Sequence, residues 1–229
     1  MLDINYFGHS FFQLCFGDKK ILIDPVIDCQ NKEAGFKQQI ACPVKEKDLN
    51  DVSLILLSHE HFDHFDKGLV KRVAEKNNAC VVGHESLLQQ IDLQKRFTHS
   101  ISVGEKVFLR GVTIKATTAH HPQSFYPLGF LIEGNGKSVY HAGDTDLIDA
   151  FSEIKTNVAI LPIGGTYTMD VVDAVRATKS MKPEYVIPMH YNTFKLIQAD
   201  PQEFRQKIEK SVLKTKPIIL KPGESFRLD

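Results

Sequence analysis

The chain has 229 residues and a 42% hydrophobic content, which is enough for one large domain with a substantial core. Its 28 basic and 28 acidic residues cancel, so no overall field favours nucleic acid or an anionic membrane as a partner. No stretch approaches the roughly 18 apolar residues of a membrane helix, and the N-terminus does not resemble a signal peptide. The four scattered cysteines include no Cys-x-x-Cys pair, which indicates reduced thiols and a cytoplasmic protein. We expect residues 1–229 to form a single domain.

The first part of the chain predicts strands and one long loop. Residues 2–6 alternate apolar and polar side chains, and 11–16 and 20–23 have the composition of two further strands, so a β-meander is expected. Residues 26–47 show no period and are predicted to form a long surface loop. This loop is either one lip of a substrate cleft or a variable insertion.

The most informative stretch begins with residues 52–57, an apolar run too short for a buried helix and typical of a buried strand. Four side chains that can bind metals follow it: His59, His61, Asp63 and His64. Clustered imidazoles gain nothing from core packing, so a metal ion explains this loop better than packing does. Neutral imidazole and carboxylate suit Zn(II), Mn(II), Fe(II) or Ni(II).

A helix and a second buried strand are predicted after the ligand loop. Asp66 is placed to cap the helix, Asn77-Asn78 to end it, and residues 79–82 form the strand. A strand–helix–strand unit pairs its strands in parallel, and sites in such sheets lie at the carboxyl ends of the strands. Residues 85–91 predict a short helix, and 92–100 a polar connector.

The second half of the chain repeats this order, with strands first and helices later. Hairpins are predicted around Gly111 and around Asn135-Gly136, the latter being the strongest two-residue turn signal. The strands expected in this half are 106–109, 112–118, 128–133, 137–141, 157–162, 185–189, 218–220 and 225–228. Asp170 and Asp200 are placed to cap two further helices.

More candidate ligands follow these strands. Asp144, His190 and either His120 or His121 each lie at a predicted strand end. A single histidine in such a position is more often a surface residue than a ligand. Together with the loop after residue 58, however, they supply the number and type of groups that a two-metal hydrolytic centre needs.

The segment His59-Glu60-His61-Phe62-Asp63-His64 resembles the His-x-His-x-Asp-His signature of the metallo-β-lactamase superfamily. Tyr140-His141-Ala142-Gly143-Asp144-Thr145-Asp146 and Gly8-His9-Ser10 resemble its UPF0173 branch of small metal-dependent hydrolases, which is close to the ascorbate-phosphate lactonases. The resemblance covers nearly the whole chain, with the motifs in the same order. It implies a four-layer αββα sandwich of the α/β class, with a dinuclear site at the shared edge of two sheets.

The resemblance also implies seven metal ligands. They are His59, His61, Asp63, His64, His121, Asp144 and His190. The first two histidines of the loop and the third-motif histidine would bind one ion, whereas Asp63, His64 and His190 would bind the other. Asp144 would bridge the two ions.

Several neighbouring residues have implied supporting roles. The family's spacing from Ala119 favours His121 as the third-motif ligand, with His120 as the alternative, because alternation along a strand can expose either. Asp24 resembles the superfamily residue that orients ligands. His141 alternates with the bridging aspartate along its strand and is expected to point away from the metals.

The implied mechanism is hydrolysis by water that two divalent ions, Zn(II) by preference, ionise near pH 7. Asp63 would position the nucleophile and accept its proton. His9 and Thr145 are candidates for contact with the substrate or the ligands, and for His9 a structural hydrogen bond is the alternative. The expected substrate is a small ester, lactone or phosphoester, with specificity set by loops 26–47, 92–100, 122–127 and 163–169.

Three other functions have to be weighed. A nuclease of the same fold would carry an inserted substrate-gripping domain and a basic surface, and the chain shows neither. A di-iron redox enzyme of this superfamily would have an acid at position 61 and a fused flavodoxin domain. A non-catalytic metal-binding module is opposed by the complete ligand set. The substrate, the metal and the oligomeric state, a homo-oligomer included, are left open.

Overall fold

Two seven-stranded β-sheets form the centre of the fold, in a computed structural model that describes residues 1–31, 33, 35–211 and 213–229. The first half of the chain contributes β1 (Leu2–Gly8), β2 (Phe11–Phe16), β3 (Lys19–Ile23), β4 (Val52–Leu56), β5 (Cys80–Gly83) and β6 (Thr98–Ser100). The second half contributes β7 (Lys106–Leu109), β8 (Val112–Thr118), β9 (Leu128–Gly134), β10 (Lys137–His141), β11 (Val158–Pro162), β12 (Tyr185–Met189), β13 (Lys216–Pro217) and β14 (Ser225–Leu228). The strand orders are β14-β1-β2-β3-β4-β5-β6 and β13-β12-β11-β10-β9-β8-β7.

Each sheet has the same internal plan. It begins with an antiparallel meander, β1-β2-β3 in one sheet and β7-β8-β9-β10 in the other. It continues with parallel strands, β3-β4-β5-β6 and β10-β11-β12-β13. The carboxyl ends of parallel strands lie at one edge of a sheet, so this plan collects the strand-end residues of each half along an edge.

Helices cover the outer face of each sheet. They are α1 (Lys67–Asn77), α2 (Glu85–Leu88), α3 (Val171–Met181) and α4 (Pro201–Glu209), and short 3₁₀ turns lie at Glu46–Asp48, Lys95–Phe97, Asp149–Glu153 and Lys195–Ile197. The buried face of α1 packs on the first sheet, and α3 and α4 pack on the second. The predicted αββα architecture is therefore confirmed. Asp66, Asp170 and Asp200 cap their helices as predicted.

The packing of strand β4 explains why its sequence is apolar except at the half-buried Ser53. Leu54 and Leu56 face the layer between the two sheets, whereas Ile55 and Leu57 face α1. A strand buried on both sides has no solvent-facing residues, so its sequence is a continuous hydrophobic run rather than an alternating one. The polar residues resume at Ser58, where the strand has ended.

Two predictions about the secondary structure are wrong. The strand predicted at 218–220 lies at Lys216–Pro217, because only these two residues are in register with Tyr185 and Val186 of β12. Ile218 still donates its backbone N–H to the Val186 carbonyl at 2.8 Å, and the apolar side chains of 218–220 pack on the core. The connector predicted at 92–100 contains β6, a short, partly exposed edge strand whose sequence lacks an apolar run.

The long loop predicted at 26–47 is irregular where it is described, with residues 32 and 34 outside the described part. Its backbone closes on itself between Asn31 and Phe36, which form an isolated antiparallel bridge. In the part of the chain that the structure describes, no helix is both long enough and apolar enough to cross a bilayer.

Candidate metal centre

The structure brings all seven predicted ligands together at the edge shared by the two sheets. The ligand loop after β4 contributes His59, His61, Asp63 and His64; His121 follows β8, Asp144 follows β10, and His190 follows β12. Their side-chain atoms fall into overlapping groups whose members lie within 4.8 Å of one another. These groups join residues more than 100 positions apart in the sequence, so the site exists only in the folded chain.

Three imidazole nitrogens form the first group. His61 Nδ1 lies 3.1 Å from His59 Nε2 and 3.2 Å from His121 Nε2. Zinc binds imidazole nitrogen at about 2.0–2.1 Å in tetrahedral geometry, which places neighbouring ligand nitrogens about 3.3 Å apart. The spacing of these three atoms therefore fits one zinc-sized ion.

Asp144 lies between this group and the remaining ligands. Its Oδ2 is 3.0 Å from His190 Nε2 and 3.9 Å from the Nε2 atoms of both His59 and His121. Its Oδ1 is 3.3 Å from His64 Nε2. Oδ2 of Asp144 therefore lies near nitrogens of both expected ligand sets, which is the position of a bridging ligand.

Several buried atoms of this cluster have no hydrogen-bond partner among the described residues. They are His64 Nε2, Asp144 Oδ1 and both ring nitrogens of His190. Two of them approach Asp144 within 3.3 Å, but the directions do not suit hydrogen bonds. Buried polar atoms are nearly always paired, so the unpaired atoms that lie together here, His64 Nε2, Asp144 Oδ1 and His190 Nε2, call for another partner. A cation meets that need, and the residues present fit one.

Four of the histidines are held through the ring nitrogen that faces away from the centre. The partners are the Ser58 hydroxyl for His59 (2.9 Å), the Gln123 carbonyl for His61 (3.2 Å), the Asp24 carboxylate for His64 (2.8 Å) and the Tyr167 carbonyl for His121 (3.1 Å). A carbonyl or carboxylate accepts the outer N–H and so leaves a lone pair on the inner nitrogen. The surroundings thus select the tautomer that binds a metal.

Asp24 organises this outer layer. Its buried carboxylate accepts hydrogen bonds from the Ser58 backbone N–H (2.7 Å), the Ser58 hydroxyl (2.5 Å) and His64 Nδ1 (2.8 Å). The orienting role predicted for Asp24 agrees with these contacts. Because Ser58 Oγ donates to Asp24, its lone pairs remain available to accept the outer N–H of His59.

Three non-glycine residues around the centre have left-handed backbone conformations. The φ angles are +56° at His9, +46° at Asp24 and +55° at His190. The N–H of His190 donates to the carbonyl of His9 at 3.0 Å, which links a turn of the first sheet to a strand end of the second. Such conformations cost free energy and are kept where the surrounding structure enforces them, often at functional sites.

His9 contacts Asp63 and does not line the cavity that opens onto the ligands. Its Nε2 lies 3.0 Å from Asp63 Oδ2, and its Nδ1 lies 3.1 Å from the Thr193 hydroxyl. Burial and the neighbouring His190 lower the pKa of His9 to about 4, so the ring is neutral at pH 7. A neutral ring that donates to Asp63 and accepts from Thr193 fits the hydrogen-bond alternative stated for His9.

Electrostatics within the centre keep its carboxylates ionised. Burial alone would raise the pKa of Asp63, but the hydrogen bond from His9 and the charge of His64 outweigh burial and lower it. For Asp144, His190 and His64 lower the pKa well below its usual value in the same way, against burial. Burial lowers the pKa of His59, with a further contribution from His64. Burial would lower the pKa of His64, but the charge of Asp144 and the hydrogen bond to Asp24 outweigh burial and raise it well above its usual value. The ionised oxygens suit a divalent ion directly, and an ion bound at His64 would displace the proton of that ring.

The remaining candidates lie outside the cluster. His120 is exposed and pairs with Asp146 at 3.0 Å, so of the two third-motif alternatives it is His121 that enters the centre. His141 is buried and points away from the ligands, towards the Ser10 carbonyl. Thr145 donates to the Asp146 carbonyl and accepts the N–H of His120, so it holds a turn and does not line the cavity.

A cavity of about 180 Å³ opens onto the ligands. Phe36, Gln123 and Tyr167 line it, so three of the four predicted specificity loops contribute. The fourth, 92–100, contributes no described residue to the lining because it ends in the edge strand β6. A cavity of about 220 Å³ on the other side of His9 is lined by none of the seven expected ligands, so of these two cavities only the smaller one opens onto them.

Three lining residues were missed from the sequence. Phe62 lies inside the ligand loop, and Phe194 and Ile197 follow His190 by four and seven residues. Their positions beside ligands were the available signal. Apolar residues beside a metal ligand pack in a core as often as they line a cavity. Their positions alone therefore did not show that these three residues line a cavity.

Comparison with known proteins places the chain in a family. The family model for the beta-lactamase superfamily domain matches residues 19–191. UPF0173 metal-dependent hydrolases of Pyrococcus abyssi and Aeropyrum pernix are 37% and 36% identical to this chain, covering 100% of it and 100% and 98% of their own lengths. A metallo hydrolase of Ignicoccus hospitalis superposes with a TM-score of 0.84 at 33% identity, covering 100% of this chain and 99% of that one. The predicted resemblance is confirmed: the chain belongs to the UPF0173 metal-dependent hydrolases of the beta-lactamase superfamily.

Proposed function

We propose that this protein is a hydrolase with two divalent metal ions, Zn(II) by preference, that uses water to cleave a small ester, lactone or phosphoester. His59, His61 and His121 would hold one ion, and Asp63, His64 and His190 would hold the other. Asp144 would contribute to both. The observation that supports the proposal has two parts. Buried polar atoms of the ligand cluster lack hydrogen-bond partners. At the same time, hydrogen bonds hold the outer ring nitrogens of four of the histidines.

Divalent ions in such a centre lower the pKa of water to near 7 and polarise the group under attack. The protein supplies the rest of the chemistry. Asp63 lines the cavity as an ionised carboxylate and accepts a proton from the attacking water. His9 holds Asp63 in position from behind, and Thr193 in turn holds His9.

The named relatives, the cysteines and the packing of the core agree with this proposal. Relatives that share a third of the sequence are named metal-dependent hydrolases. All four cysteines are free, which suits the cytoplasm as the compartment. We also propose that residues 1–229 act as one domain, because a single buried cluster contains residues from both sheets.

The test combines elemental analysis of the purified protein with a screen of lactones, phosphodiesters and thioesters. His61→Ala removes a ligand whose side chain lies at the cavity surface, so it should abolish turnover and leave the fold intact. His120→Ala is the matched control, because His120 lies next to His121 in sequence but is exposed and outside the cluster. Turnover of the best substrate by His61→Ala at the parental rate would refute the proposed site.

A further inference from the structure

The walls of the substrate cavity form a continuous aromatic surface. The ring of Phe36 lies 5.3 Å from both Phe62 and Phe194, centroid to centroid, and 6.4 Å from Tyr167. Phe62 and Phe194 are 6.1 Å apart. These separations place Phe36 next to each of the other three rings, and Ile197 completes the apolar lining.

The charged groups of the cavity all lie at its floor. Asp63 and Asp144 are the acidic residues of the lining, and the described lining residues include no lysine or arginine. An anionic group of a substrate, held away from the metals, would therefore lose water without gaining a counter-ion. A cationic group would meet aromatic faces, but the two carboxylates that could balance its charge are ligands of the proposed ions. Gln123 supplies the one neutral side-chain amide of the described lining, and its backbone carbonyl accepts a hydrogen bond from His61.

The volume of the cavity limits the size of the substrate group that it can hold. The cavity volume of about 180 Å³ lies below the roughly 300–1,000 Å³ of pockets that hold drug-sized ligands. An apolar chain of a few carbons suits such a space.

The geometry points to the substrate class: the part of the substrate that does not contact the metals is a small, uncharged, apolar group, such as the alkyl chain of a short acyl ester or lactone. This inference rests on the proposed function, since it identifies what that site hydrolyses. The inference favours acyl substrates over phosphomonoesters. The phosphate oxygens that the metals do not bind would face only aromatic rings and carboxylates, and neither can compensate their negative charge.

The test measures binding without turnover. Calorimetry on zinc-loaded protein follows hydroxamic acids, whose head group binds divalent ions, with acetyl, butyryl, hexanoyl, succinyl and trimethylammonio-acetyl tails. Affinity is expected to rise about fourfold per buried methylene until the cavity is full. The succinyl compound, which carries a carboxylate, should bind at least tenfold more weakly than butyryl, and the cationic compound should also bind more weakly.

Two variants assign the effect to the rings. Phe36→Ala removes a partly exposed ring of the wall, and Phe36→Leu keeps an apolar wall should the smaller side chain disturb the loop. Phe125→Ala is the control, because Phe125 is 78% exposed and does not line the cavity. The preference for butyryl over acetyl should fall in Phe36→Ala, and it should persist in Phe36→Leu and Phe125→Ala.

The outcomes separate the two proposals. Equal or tighter binding of the succinyl or trimethylammonio compound, an unchanged preference in Phe36→Ala, or no binding of any hydroxamate would overturn the apolar assignment. Apolar preference in binding, together with no hydrolysis of any matched ester or lactone, would instead overturn the proposed function and leave the assignment of the cavity standing.

Discussion

Replacing Asp24 by asparagine isolates the role of one buried charge in holding the metal centre. Asparagine is nearly isosteric with aspartate and tolerates the left-handed backbone that Asp24 adopts at φ +46°. The substitution therefore changes the charge and the hydrogen-bonding pattern while keeping the backbone. Alanine at this position would add backbone strain and confuse the result.

The magnitude follows from the three hydrogen bonds that the carboxylate accepts, at 2.5 to 2.8 Å. An amide offers one acceptor oxygen, so either the Ser58 N–H, or the Ser58 hydroxyl together with His64 Nδ1, would face an NH₂ group. Loss of such a partner to a ligand typically costs about 10- to 100-fold in metal affinity. We expect the dissociation constant of the ion bound by His64 to rise by that factor.

The assay is competition for zinc against a chelator of known affinity, at fixed pH, with stoichiometry read by elemental analysis. Asp66→Asn is the control, because Asp66 caps α1 near the same loop and asparagine caps helices equally well. We expect the control to bind two ions with parental affinity. Parental affinity of Asp24→Asn for both ions would refute the reasoning about the outer layer.

Three further predictions concern the supports of the site. In Gly164→Ala, a Cβ would collide with the carbonyl oxygen of His190 and displace this ligand. The number of zinc ions bound per chain should therefore fall from two towards one, and two tightly bound ions would contradict this. His141 is buried and its pKa is lowered from 6.5 to about 4, so the unfolded chain takes up its proton first and stability is lost as pH falls from 6.5 towards 4. Urea unfolding of metal-free His141→Gln should lose about 2 kcal/mol less than the parent between pH 7 and pH 5, and parallel losses would refute the assignment. Glu60 accepts hydrogen bonds from the Ser124 hydroxyl and the Phe125 N–H, and so holds the segment whose Gln123 carbonyl contacts His61. Glu60→Gln should therefore weaken the binding of zinc at His61 by about 10-fold, seen as a faster zinc dissociation rate. An unchanged dissociation rate would count against this role.

Much of the fold was predictable because its signals are local. The hydrophobic run at 52–57, the Asn135-Gly136 turn and the helix caps depend on neighbouring residues alone, and the structure contains all three. Strand β6 and the register of β13 depend on which edge is free to pair, which no local pattern records. For that reason the expected connector at 92–100 and the expected strand at 218–220 were wrong.

The candidate site divides in the same way. The ligand types and their strand-end positions are visible in the sequence, and the parallel order of strands predicts that they converge. The choice between His120 and His121 was not decided by alternation, because both follow the last residue of β8. The aromatic wall was missed because Phe36, Phe62 and Phe194 come from three separate loops and meet only in the folded chain.

The central claim is that residues from both sheets bind two metal ions around Asp144. Crystals of the zinc-loaded protein, measured at wavelengths on either side of the zinc absorption edge, test it directly. The account predicts two anomalous peaks, one beside His59, His61 and His121 and the other beside Asp63, His64 and His190. A single peak, or peaks remote from Asp144, would contradict it.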